Sequence, residues 1–93
     1  MARFTVRVEL HDADEDDYEL LHKRMGAANF NKYITTRGGK DLGLPTAEYR
    51  YFSDTESNEQ VVDKAYDIAK RVKSEPSVIS TEGSIEHRGL EEI

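Results

Sequence analysis

The chain has 93 residues, with 13 Lys and Arg against 19 Asp and Glu, a formal net charge of −6, and neither Cys nor Trp. That length supports one domain with a small core. The missing Cys excludes a disulfide framework, a thiolate nucleophile and a cysteine zinc site. The acidic balance argues against tight non-specific binding to a phosphate backbone and leaves room only for RNA contact at a local basic patch.

Met1-Ala2-Arg3-Phe4 runs straight into an alternating segment, with no apolar run of signal-peptide or spanning length. A cytoplasmic protein without a membrane partner is the expectation. In residues 3–10 every even position is apolar and every odd one polar. This period of two predicts a strand with one face buried and one bare. Phe4, Val6, Val8 and Leu10 are expected to face the helices, with Arg3, Thr5, Arg7 and Glu9 opposite.

Five carboxylates then fall within residues 12–17. Asp12, Asp14 and Asp16 alternate like the start of an EF-hand loop. That loop needs Gly and Glu where this chain has Asp17 and Lys23. Capping and dipole complementarity explain the acids better. Tyr18, Leu21, Met25 and Ala28 make one apolar stripe, so a helix is predicted to about Ala28, with Asn29 as its terminator.

A second strand is expected over 30–37, a turn over 38–43, and a third strand over 46–52 behind Pro45. Ala47, Tyr49 and Tyr51 should point inward, because Glu48 and Arg50 are costly to bury. The Gly38-Gly39-Lys40 stretch lies between strands and reads as turn geometry rather than a phosphate loop. Ser57 and Gln60 have capping-box spacing before a second helix, whose stripe is Val61, Ala65, Ile68 and Val72. Pro76 stops that helix, and residues 77–85 read as a fourth strand with a bulge at Gly83. Lys70, Arg71 and Lys73 suit the helix C-terminus.

The order β-α-β-β-α-β predicts an α+β, ferredoxin-like domain over residues 1–86. Its four-stranded antiparallel sheet would carry both helices on one face. Residues 87–93 would form a polar tail. The bare face then carries Arg3, Arg7, Glu9 and Arg50. Arg7 and Glu48 could form a cross-strand ion pair there, or the guanidiniums could meet a phosphate. An aromatic base-stacking platform is missing from the first strand. His11, His22 and His87 lack the spacing of a helical zinc site, and His11 or His22 could serve as acid or base.

Residues 1–11 (Met-Ala-Arg-Phe-Thr-Val-Arg-Val-Glu-Leu-His) and Leu44-Pro45-Thr46-Ala47-Glu48-Tyr49 resemble small bacterial proteins grouped with the GhoS endoribonuclease antitoxins of type V toxin–antitoxin systems. The likeness continues through Tyr18-Glu19-Leu20-Leu21-His22 and Val61-Val62-Asp63-Lys64-Ala65. It implies a ferredoxin-like fold and cleavage of the single-stranded messenger that encodes a membrane-damaging toxin, without DNA. Glu9 falls where that family places an acid near the end of the first strand, with Glu in place of Asp. His22 falls where the antitoxin carries a basic residue on helix one. For RNA cleavage the candidates are then Glu9 as base or metal holder, Arg7 as phosphate charge and His22 as acid, and the open-face Arg3 and Arg50 are the candidates for binding RNA. No resident cofactor is expected, a divalent metal being the only addition the chemistry admits. The rival expectation is a non-catalytic binding or dimerisation module, so both a monomer and a homodimer remain open.

Overall fold

A computed structural model describes all of residues 1–93. The elements run β1 (Ala2–Glu9), α1 (Glu15–Ala27), β2 (Tyr33–Thr35), β3 (Asp41–Gly43), β4 (Glu48–Ser53), α2 (Asn58–Val72) and β5 (Ser77–Glu82). β1 is the middle strand of a three-stranded sheet ordered β4-β1-β5, antiparallel to both neighbours.

The alternation of β1 is realised in full. Phe4, Val6, Val8 and Leu10 are buried, and Arg3, Arg7 and Glu9 are exposed. Tyr49 and Tyr51 turn inward from β4 and meet them, and Ala47, just before β4, is buried too. Leu21 and Met25 of α1, Phe30, and Val61, Ala65 and Ala69 of α2 complete the core. Phe30 stacks on Tyr51 with ring centroids 4.2 Å apart.

Both helices start on reciprocal caps. The Asp14 carboxylate accepts from the Asp17 amide at 3.0 Å, and the Asp17 carboxylate accepts from the Asp14 amide at 3.1 Å. Ser57 and Gln60 do the same for α2 at 3.2 and 2.8 Å. The acids of residues 14–17 therefore answer the amides left unpaired at a helix start. Asn29 follows α1 with φ 70°, the left-handed conformation that Asn tolerates better than most residues.

The expected four-stranded sheet is instead three strands plus a separate β2–β3 pair. The expected second strand is bridged to β4 through its backbone only at Asn31, which exchanges hydrogen bonds with Arg50 at 2.9 and 2.7 Å. One residue later the Lys32 carbonyl accepts from the Leu44 amide at 2.8 Å instead. The Lys32 ammonium fixes the same turn, donating to the carbonyls of Leu44 and Pro45 at 3.1 and 2.6 Å. Residues 33–37 offer a single aliphatic side chain, Ile34, to any core. A strand with so little to bury is weakly held in register, and the local hairpin wins.

β3 occupies part of the expected turn. The fourth strand ends at Glu82 rather than Ile85, where Gly83 takes φ 136°. The last residues return to β3: the Gly43 amide donates to the Glu91 carbonyl at 2.9 Å and the Ile93 amide to the Asp41 carbonyl at 3.0 Å. No helix is long and apolar enough to cross a membrane.

Candidate functional site

The bare sheet face is built from three rows of side chains in register. Arg3 pairs with Phe52, Thr5 with Arg50 and Arg7 with Glu48 on one side. Thr5 pairs with Thr81, Arg7 with Ile79 and Glu9 with Ser77 on the other. At about 3.3 Å per residue, Arg3 and Glu9 stand roughly 20 Å apart along one strand.

One end of this face carries Arg7, Glu9, Ser77 and Ile79 around a shallow depression of about 310 Å³. His11 joins it from the loop after β1. Its Nε2 shares a hydrogen bond with the Ser77 hydroxyl at 2.9 Å, and its Nδ1 lies 4.0 Å from the Glu9 carboxylate. Arg7 makes no ion pair with Glu48 despite facing it across the strands, so its guanidinium stays available to an anion.

The other end is a larger groove of about 680 Å³. Arg3, Arg50 and Phe52 form its floor, the 33–37 segment one wall, and Ser84, Ile85 and His87 the other. These walls bury Arg50 to 4% exposure although it points to the bare side. Its guanidinium donates to the Thr5 hydroxyl at 2.6 Å and to the Gly83 carbonyl at 2.9 Å, and lies 5.9 Å from the Phe52 ring centre. Burial, and then the neighbouring Arg3 charge, lower its pKa from the ordinary value.

His22 lies on the opposite side of the sheet from Glu9 and Arg7. Its Nδ1 shares a 2.6 Å hydrogen bond with the hydroxyl of the buried Tyr49. Burial, and then the Lys32 charge, hold the imidazole below its ordinary pKa, while burial pushes the Tyr49 phenol up. The structure thus unites Glu9 with Arg7, and Arg3 with Arg50, but separates His22 from both sets.

Three members of the face carried no functional assignment from sequence. Ser77 meets His11 across 66 positions of chain, a distance that no local motif spans. Tyr33 belongs to a short strand. Phe52 had a legible signal, because it is an aromatic on the outward phase of β4. No three His, Asp or Glu side chains converge as a metal-holding group. No protein-family model, curated protein or solved structure matches the chain.

Proposed function

We propose that the chain is a GhoS-like antitoxin, an endoribonuclease that draws the single-stranded messenger of a toxin across the bare face of β1 in the cytoplasm. One observation carries the reading: Arg7, Glu9, His11 and Ser77 gather at the end of β1, facing solvent. Cleavage by the neighbouring 2′-hydroxyl needs a base for that hydroxyl, a cation for the crowded phosphate and an acid for the departing 5′-oxygen. Glu9 is the base, Arg7 the cation and His11 the acid. His11 takes the place first given to His22, whose ring is committed to Tyr49 on the far side. In the reaction the O2′–P bond forms as the P–O5′ bond breaks. The proton lost from the 2′-hydroxyl goes to Glu9, and His11 gives one to the leaving oxygen.

The fold reading that accompanies this is ferredoxin-like, with its second strand reduced to the Asn31–Arg50 bridge. The helices that follow β1 and β4 and the β5-β1-β4 neighbourhood support it, with β3 as an added strand.

The test is incubation of the purified protein with AU-rich single-stranded RNA, with and without divalent ions. Cutting is expected, and Glu9→Gln, Arg7→Ala or His11→Ala should slow it by about 10²-fold or more. Intact RNA under every condition rejects the enzyme. A second reading, a non-catalytic binding or dimerisation module, is favoured by the groove of Arg3, Arg50, Tyr33 and Phe52, which holds no carboxylate to act as a base. Binding of the same RNA without any cutting would select it.

A further inference from the structure

The larger groove is chemically unlike the rest of this acidic chain. The sequence holds 19 carboxylates, yet none lines the groove, whereas Arg3, Arg37, Arg50 and His87 all do. Arg50 is the decisive residue. It is 4% exposed and has only neutral oxygens as hydrogen-bond partners. Buried charges are ordinarily paired with an opposite charge, yet Arg50 makes no salt bridge, and the Arg3 guanidinium adds a second positive charge to the groove. The pair lacks an anion. A guanidinium presents five donors in a planar fork that matches phosphate, and two hydrogen bonds leave donors of Arg50 free.

Two aromatic rings accompany this charge. Tyr33 and Phe52 are 40% and 46% exposed, large apolar surfaces left at the groove. Exposed aromatics beside cations are the means by which sheets hold single-stranded nucleic acid, since every base has a face to stack. An acidic peptide would satisfy the arginines but would leave both rings unused. A volume of about 680 Å³ lies within the range of pockets that take a small molecule.

Building on the reading that the bare face takes RNA, we propose that this groove is a nucleotide subsite: Arg3 and Arg50 hold one phosphate of single-stranded RNA, and Tyr33 and Phe52 stack the adjoining base. The subsite lies upstream along β1 from the Glu9 cluster. It grips the strand without taking part in bond breaking.

The probe is a fluorescent 2′-O-methyl oligoribonucleotide of about eight nucleotides. It cannot be cut through its 2′-oxygen, so binding is read apart from cleavage. Arg3→Ala should weaken binding about ten-fold and reduce the salt slope by about one. Phe52→Ala should weaken binding about ten-fold and leave the salt slope unchanged. Both residues are exposed, so neither change threatens folding as Arg50→Ala would. Uridine monophosphate should shift the Arg3 and Phe52 amide resonances, and Arg3→Ala should abolish those shifts. Unchanged oligonucleotide affinity in both variants overturns the proposal. So does a poly-glutamate peptide that binds as tightly and ignores Phe52→Ala, which would make the partner a protein. If Glu9→Gln fails to slow the cutting of ordinary RNA, the catalytic reading alone falls, because the 2′-O-methyl probe reports only the grip.

Discussion

His22 shows how one side chain can look catalytic and serve as structure. Its neutral ring bridges α1 to the buried Tyr49 hydroxyl. As pH falls below the ordinary value of about 6.5, the unfolded chain takes up the proton first, because the folded pKa lies lower. Stability is therefore complete above that pH and drains away as pH drops through the folded-state value. Urea midpoints measured from pH 7.5 to pH 5 should fall, and His22→Gln should flatten that slope. Tyr49→Phe leaves the half-buried Nδ1 without its partner and should cost about 1 kcal/mol at neutral pH. A pH profile identical in His22→Gln would show that another group drives the change. None of this was legible in the sequence. His22 sits on a helix between Leu21 and Lys23 with nothing local to bond its ring, and its partner Tyr49 lies 27 positions away.

Whole elements were more legible, because local chemistry sets them. Residues 3–10 announce β1 by alternation alone, and the Ser57–Gln60 pair announces the start of α2. Asp14→Ala or Ser57→Ala should each cost about 1 kcal/mol, read as a lower urea midpoint with the slope unchanged. Leu21→Ala removes a fully buried anchor of α1 and should cost about 2–5 kcal/mol. An effect under half of that lower bound would mean that α1 packs more loosely than its burial shows. β3 was not legible, since three residues with one apolar side chain carry no periodicity. The burial of Arg50 was not legible either. Its own strand directs it outward, and the cover comes from residues 33–37 and 84–87, remote on either side in sequence.

Across the whole molecule, the charge is unevenly spent. Both helices carry acids in their first turns and cations in their last, whereas the groove is lined by arginines and no carboxylate. The C-terminal segment belongs to this arrangement, because it both walls the groove at His87 and zips onto β3 through Glu91 and Ile93. Removing residues 87–93 should leave the main unfolding midpoint nearly unchanged, since every core side chain lies earlier in the chain. It should also release the Gly43 amide to rapid hydrogen exchange and weaken oligonucleotide binding. Continued protection of Gly43 would show that the hairpin stands without the tail. The central place of β1 also bears on how the protein is made. Synthesis delivers this strand before either of its neighbours, which arrive with residues 48–53 and 77–82. Until residues 48–53 are made, Phe4, Val6 and Val8 have no strand to pair with, and the three-stranded sheet closes only once residues 77–82 have left the exit tunnel.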